Sequence, residues 1–456
     1  MAVDRSRLPD VGPDPRFAFP EIVRHTLDNG LQVRTVHHAS VPVVTLVLQV
    51  EGGSGADPAD REGLAAIVAD MVDEGTGGMS AIDVSDALAR IGADYDVDVG
   101  ADATSFGITT LSRFADRGAS LLASLVTRPS LREPDFTRVR QLRVDRLRQL
   151  KDLPPAVAER AFLRLLYGAH PYGHLAIGND RALNATTLDE VKRFHAAAYH
   201  PRRATLIMVG DQTHDALLQI ARDAFGDWAA QPGESPAGAP DPSSAQPAHV
   251  RLAVVPREGA AQSELRIGHL AARRNTPDYP ALLVMNAVVG GQFVSRINLK
   301  LREEKGYTYG ARSGFDWRRG LAPFAVQASV HTAATADAIV DTLAEIDGIR
   351  GTRPPTDQEL LLARASLTRG YPRNFETAQQ VVRSVAQLAL YDLPDTYFQQ
   401  FVPKVNAVTA EHVVRAAAQY LDPSKLTVLV VGDHAATADS LSKLGLGEAT
   451  MLPAEV

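Results

Sequence analysis

The chain repeats itself, and that repeat limits what it can fold into more than any other feature. A single shift of 222 residues lays Thr187 on Thr409, Val191 on Val413 and Pro201 on Pro423. The same shift lays Arg203 on Lys425, Thr205 on Thr427, and Val209-Gly210-Asp211 on Val431-Gly432-Asp433. Agreement at this many positions under one offset marks a duplicated module. Thr187-Leu188-Asp189-Glu190 is a capping box, which fixes where a helix starts. Each copy therefore closes with a capped helix, a proline-containing turn and a buried strand ending in Val-Gly-Asp. A chain of 456 residues is too long for one core, and two copies of about 200 residues are of normal domain size.

Residues 229–248 lack hydrophobic periodicity and are rich in Pro, Gly and Ser, so they read as a linker long enough to let the copies move. The expected division is an arm at 1–20, a first domain at 21–228, the linker, a second domain at 249–440 and a tail at 441–456. Asn29-Gly30 reads as a hairpin turn, 43–50 as a central strand and 93–111 as paired strands. The apolar stripe of 63–72 reads as a helix, and Ser80 with Asp83 opens another. In the second copy 250–255 and 263–269 read as strands and 278–289 as an apolar helix. Helices follow hairpins here and do not alternate strictly with strands. The expected fold class is therefore α+β: two homologous domains, each a mostly antiparallel sheet with helices packed on one face.

Net charge is −7 with no basic block, which argues against nucleic acid as a partner. No apolar run reaches membrane-spanning length. The absence of cysteine excludes disulfides and thiolate metal sites. Residues 1–20 are polar and proline-rich, without the apolar core of a signal peptide. The expectation is a soluble protein, cytoplasmic by default, or periplasmic if a signal was removed.

Residues 290–310 of the second copy read GGQFVSRINLKLREEKGYTYG. Phe293, Ile297 and Leu301 follow the glycine pair at helical spacing, and Gly306 is placed to end the helix in a left-handed conformation. Tyr307-Thr308-Tyr309 reads as the start of a strand. A helix that stops at a glycine and turns into a strand can bring Arg302 and Tyr309 to one spot. Taken alone, the two are an ordinary surface arginine and a half-buried strand tyrosine.

Residues 20–440 resemble the pitrilysin/mitochondrial-processing-peptidase family of zinc metallopeptidases, the inverzincins. The resemblance rests on Leu27-Asp28-Asn29-Gly30, the Gly-rich loop and helix of 52–76, and His170-Pro171-Tyr172-Gly173. The two Val-Gly-Asp ends and the 290–310 stretch complete it. It implies a clam-like half in which Arg302 and Tyr309 are the family's Arg-x6-Tyr pair. That pair would bind a substrate carbonyl and stabilise the oxyanion. The zinc motif is where the chain departs. Where the family carries His-x-x-Glu-His, this chain has Ala66 and Asp70 at the ligand positions and Ala69 at the base position. The family's third ligand, a Glu, falls on Arg146, ahead of Asp152-Leu153-Pro154. An Arg beside the remaining Asp would neutralise it and not share a metal with it.

The expectation is a chain that binds no zinc and cleaves nothing alone. A homologous zinc-binding peptidase subunit would form a heterodimer with it, and the substrate would be a peptide. The alternatives are an inactive core or scaffold subunit of the same fold, or a module that binds peptides without chemistry, for instance at a sheet edge. His170 and His174 read as loop histidines. Arg312, Arg318 and Arg319 read as a solvated basic face, with acidic peptides as the sharper alternative. Phe315 and Trp317 read as core.

Overall fold

The computed structural model describes residues 17–229 and 250–453. The first sixteen residues of the expected arm and nearly all of the expected linker lie outside these. Among the described residues, β1 (Val23–Thr26), β2 (Gln32–His37) and β3 (Val43–Glu51) open the first half. A two-stranded hairpin, β4 (Gly75–Thr76) and β5 (Met79–Ser80), stands apart from the main sheet. β6 (Asp94–Val99), β7 (Ala103–Leu111) and β8 (Ala204–Gly210) complete that sheet, in the order β1-β2-β8-β3-β7-β6. The second half holds β9 (Leu252–Pro256), β10 (Gln262–Ala272), β11 (Ala311–Phe315), β12 (Ala322–His331), β13 (Thr427–Gly432) and β14 (Thr450–Met451). Their order is β11-β12-β10-β13-β9-β14.

The duplication is visible in this topology. Read from the opposite edge, the second order repeats the first, with β9, β13, β10, β12 and β11 standing for β2, β8, β3, β7 and β6. Both sheets are mostly antiparallel, and both keep the same parallel pair, β2 with β8 and β9 with β13. The segment expected as a tail contributes a short strand. Thr450 and Met451 add to the edge of the second sheet, where Thr450 pairs with Ala253 and Met451 with Val254.

Helices of the first half are α1 (Leu64–Asp70), α2 (Ala81–Arg90), α3 (Ala115–Thr127), α4 (Glu133–Lys151), α5 (Pro154–Tyr167), α6 (Asp180–Ala185), α7 (Leu188–Ala198) and α8 (His214–Phe225). The second half has α9 (Tyr279–Val289), α10 (Arg296–Asn298), α11 (Thr335–Asp347), α12 (Asp357–Thr368), α13 (Ala378–Leu390), α14 (Tyr397–Asn406), α15 (Ala410–Tyr420) and α16 (His434–Ser442). Thr187 and Thr409 cap α7 and α15 through reciprocal side-chain and backbone bonds, and Ser80 with Asp83 caps α2 in the same way. No helix among the described residues is long and apolar enough to cross a membrane.

Side chains alternate across a strand, so β3 has two faces. Leu46 and Leu48 join Phe106, Ile108 and Met208 in a core covered by α1, α3 and α8. The opposite face meets a helix of the other half. Val36, Ile207 and Val209 pack with Val381, Val382 and Val385 of α13. Reciprocally, α5 of the first half lies on β10 and β13 of the second sheet, where Val157, Ala161 and Phe162 join Val255, Leu429 and Val431. The halves thus exchange equivalent helices, and this packing joins them independently of the linker. Next to α13 the inner face of the first sheet lines a cavity of about 690 Å³, with Thr45, Gln49 and Asp98 on one wall and Gln379 and Arg383 on the other.

Two further contacts lock the halves. The described end of the arm is not loose: Phe17 stacks on Phe375 at 4.9 Å, and Phe19 lies against Phe375 and Phe398. Burying a side chain such as Phe19, only 4% exposed, contributes about 2 kcal/mol. Arg318 and Arg319 are the second lock, and here the expected solvated face is wrong. Arg318 is 5% exposed, donates to the Tyr172 carbonyl at 3.0 Å and lies over the rings of Tyr167 and Tyr172. The Arg319 backbone N–H donates to Asp102 at 2.9 Å, and Asp102 also accepts from the Tyr172 hydroxyl. A guanidinium can be buried where a carbonyl, a carboxylate and aromatic faces replace its water. Arg318 finds these in the Tyr172 carbonyl, in Asp316 at 2.7 Å and in the rings of Tyr167 and Tyr172. Arg312 does stay exposed. Phe315 stacks on Trp317 at 4.6 Å, and both pack against the second core, as expected.

Candidate functional site

The helix α1 starts at Gly63, which sits at φ 97° in the left-handed region. A Cβ there would also lie 2.9 Å from the Gly178 backbone, so only glycine fits. Glycine has no side chain to cap the helix, and Asp57 does this from the preceding loop. Its carboxylate accepts from the backbone N–H of Gly63 at 2.7 Å and of Ala65 at 2.6 Å. His174 Nε2 lies 3.0 Å from the same carboxylate. Burial pushes the Asp57 carboxyl above its ordinary pKa, against the pull of His174 and the two backbone donors. His174 is therefore a buried tie between the 170–174 turn and α1. His170 is buried as well, and its Nδ1 accepts from the Tyr172 N–H.

The rest of α1 points inward. Ala66 and Ala69 are both 0% exposed, and their methyl groups offer nothing to a cation. Asp70 ends the helix and pairs with Arg143 of α4 at 2.6 Å. This corrects the sequence reading in one respect. Arg146 is exposed and bonds Gln149, whereas Arg143, one helical turn earlier, neutralises Asp70. Beside them the hydroxyls of Tyr95 and Tyr199 are buried without a partner among the described residues. Burial raises both phenols well above their ordinary range. Asp73, one turn beyond Asp70, is pushed up to about 6 by burial and by the charges of Glu74 and Asp70. Zinc requires nitrogen, sulfur or oxygen donors converging at about 2 Å. Two methyl groups and an ion-paired carboxylate do not fit it. Among the described residues no group of three or more His, Cys, Asp or Glu side chains is arranged to hold a metal.

The 290–310 stretch is built differently. Gly290 ends α9 and accepts from the Ser313 N–H of β11 at 2.9 Å, and a Cβ on Gly290 would lie 2.5 Å from Ser313 Oγ. The helix runs from α10 into a wider, π-type turn at Leu299–Glu304. Such turns recur at functional sites. Ile297 and Leu301 are buried beneath it, but Phe293 precedes the helix and is 62% exposed. Gly306 has φ 65°, and Gly306 N–H and Tyr307 N–H close the helix on the carbonyls of Arg302 and Leu301, as the glycine stop predicts. Tyr309 does not begin a strand. Thr308 bonds Gly310 in a tight turn, and Asn298 takes the Ala311 N–H at 2.9 Å while donating to the Phe293 carbonyl at 2.6 Å. The strand β11 starts at Ala311, one residue beyond that turn.

Asn298 thereby ties both shoulders of one cavity of about 590 Å³, which Arg302, Tyr309, Phe293 and Arg312 line together. The buried ion pair Glu264–Arg266 forms its floor, held by Ser329 and by Pro155 of the exchanged helix α5. The Arg302 guanidinium lies 4.2 Å over the Phe293 ring and, among the described residues, pairs only with Glu303 of its own helix, at 3.4 Å. Tyr309 is 91% exposed and has no hydrogen-bond partner among the described residues. Asn298 and Phe293 carry no sequence signal beyond belonging to the stretch. Arg143 could have been found by asking which α4 residues lie one turn from the expected position.

Two homologous α+β halves with exchanged helices, one with an Arg/Tyr cavity and the other with a methyl-lined helix, define a duplicated fold of the metallopeptidase type. The family model described as "Insulinase (Peptidase family M16)" matches residues 32–178, and "Peptidase M16 inactive domain" matches residues 185–367. This chain belongs to peptidase family M16. An uncharacterized zinc protease of Mycobacterium bovis is 24% identical over 416 residues, covering 90% of this chain and 93% of that protein. A crystal structure of a peptidase M16 inactive domain from Pseudomonas fluorescens superposes with a TM-score of 0.83 at 24% identity, covering 91% and 98%. A protease from Helicobacter pylori gives a TM-score of 0.83 at 20% identity, covering 91% and 100%. The two structures share this fold.

Proposed function

We propose that this chain is the non-zinc-binding subunit of a heterodimeric zinc metalloendopeptidase. It supplies Arg302 and Tyr309 to the site of a homologous partner that bears the zinc. The observation that most supports this reading is that the two side chains line one open cavity, Tyr309 without a hydrogen-bond partner among the described residues and Arg302 paired with its neighbour Glu303. Positions 66 and 69, by contrast, are closed with methyl groups. A guanidinium and a phenol both donate hydrogen bonds. Directed at a peptide carbonyl that gains negative charge, one such donor lowers the barrier by about 3 to 4 kcal/mol in a water-poor site. The role of this chain is to bind and orient the peptide and to stabilise that oxygen. The position of the family's general base is Ala69 here, and a methyl group cannot activate water.

Reconstitution tests the proposal. The chain is mixed with a His-x-x-Glu-His chain of the same fold from the same genome, and peptide cleavage is followed. The mixture cleaves, neither chain does so alone, and Arg302→Ala and Tyr309→Phe each slow the mixture. Full activity from the partner alone, or undiminished activity with both variants, would leave a scaffold or peptide-binding subunit as the reading. Stoichiometric zinc in the isolated chain would overturn the metal-free assignment.

A further inference from the structure

We infer that the first half carries a binding site for a small oxyanion, in the pocket between α4, α5 and the start of α6. This pocket of about 370 Å³ shares no lining residue with the Arg302–Tyr309 cavity. Four cationic side chains line it, Lys151, Arg160, Arg164 and Arg181, against two carboxylates, Glu62 and Asp180. Four against two leaves an excess of two positive charges. Both carboxylates are already engaged. Arg164 pairs with Glu62, which also accepts from Asn179 at 2.7 Å, and Lys151 pairs with Asp180.

Arg160 and Arg181 are left with no hydrogen-bond or ion-pair partner among the described residues. Arg181 is exposed at the rim, where water satisfies it. Arg160 is partly buried on the helix that crosses to the second sheet, and loss of water there, with the charge of Arg164, disfavours its cation more than the charges of Glu62 and Asp180 favour it. A guanidinium is a planar fork of five donors that cannot shed its proton, so partial burial without an acceptor costs free energy that a bound anion offsets. The fork matches two oxygens of a phosphate or a carboxylate. The volume suits such a group on a small molecule and not a folded partner. The pocket reads as a seat for a phosphate- or carboxylate-bearing small molecule, with Arg160 as the inner ligand and Arg181 as the rim ligand.

Calorimetric titration of the full chain with inorganic phosphate, and separately with acetate, tests this at low ionic strength against matched chloride. Saturable binding is expected for at least one anion, weakened at least tenfold in Arg160→Met and several-fold in Arg181→Gln. Stronger binding of phosphate assigns a phosphate-bearing ligand, and stronger binding of acetate a carboxylate. The exposed position of Arg181 keeps the second variant informative if the first fails to fold. No saturable binding beyond chloride, or binding that neither variant weakens, overturns the inference.

Discussion

The helix α1, which follows β3, and the 290–310 stretch, which follows α9 and leads into β11, are built in opposite senses. In α1 every side chain from Leu64 to Ala69 is buried, its one acid is ion-paired, and its N-terminus is capped by a carboxylate that also holds His174. In 290–310 the apolar residues Ile297 and Leu301 do the packing, while Arg302 and Tyr309 face outward with few obligations. A site with no ligand to satisfy its polar groups can keep them only at a cost. The helix α1 avoids that cost with methyl groups and an internal ion pair. The 290–310 stretch leaves Arg302 and Tyr309 open to water. Substitutions in α1 should therefore act on stability, and substitutions at Arg302 and Tyr309 on activity.

The largest expected effect lies in the second half. Arg302→Ala should lower kcat of the reconstituted pair by about 100- to 1,000-fold. Urea unfolding of the isolated chain should change by less than about 0.5 kcal/mol, because the guanidinium makes no buried contact. Stability falling together with activity would instead make Arg302 a structural residue and erase the contrast. The first half should show the reverse. Asp57→Ala removes the cap of α1 and the partner of His174, and should destabilise the chain by about 2 to 4 kcal/mol in urea. A loss under about 1 kcal/mol would mean that the tie between the 170–174 turn and α1 is not what holds the helix.

Asp73 gives a smaller effect with a defined pH window. Its folded pKa of about 6 lies above the ordinary carboxylate value of 3.8, because of burial and then the neighbouring acids. The native state therefore holds a proton that the unfolded state releases between pH 3.8 and about 6. The stability this contributes is full below 3.8 and lost as pH rises through 6. A shift of about two units corresponds to about 3 kcal/mol, and solvent screening of a partly exposed group reduces this to about 1 kcal/mol. Asp73→Asn should stabilise the chain by about that amount at pH 7, and the gain should vanish below pH 4. A gain that persists at pH 3.5 would point to packing and not to charge.

The parts of the molecule that were legible in the sequence were those fixed by local chemistry. The repeated caps at Thr187 and Thr409, the hairpin at Asn29-Gly30 and the glycine stop at Gly306 each depend on a few adjacent residues, and each was found where expected. The exchange of α5 and α13 was not legible. An apolar helical stripe says that a face will be buried, not against which sheet. Arg143 was missed because counting along a helix of α4's length gives a neighbourhood of one turn, and only packing selects the residue. Arg318 was misread because an arginine in a loop is solvated by default, and its burial depends on the Tyr172 carbonyl and the rings of Tyr167 and Tyr172, far away in sequence. Tyr309 fell outside the strand because Thr308 and Asn298 claim the backbone there first.

Phe293 offers the finest test of whether the second-half site is merely exposed or is held in place. Its ring is 62% exposed, an unfavourable position for a large apolar group, and it lies 4.2 Å from the Arg302 guanidinium. A cation over an aromatic face at a wet site contributes about 0.5 to 1 kcal/mol. If that energy orients Arg302, Phe293→Ala should lower kcat of the reconstituted pair roughly two- to fivefold, with KM and stability unchanged. Phe293→Trp should restore the rate, since a larger ring attracts the cation at least as well. Phe293→Leu keeps bulk without a quadrupole and should not. Equal rates for the Leu and Trp variants would mean that Phe293 only fills space. Arg302 would then be as unconstrained as an ordinary surface arginine, and the contrast with α1 would reduce to burial alone.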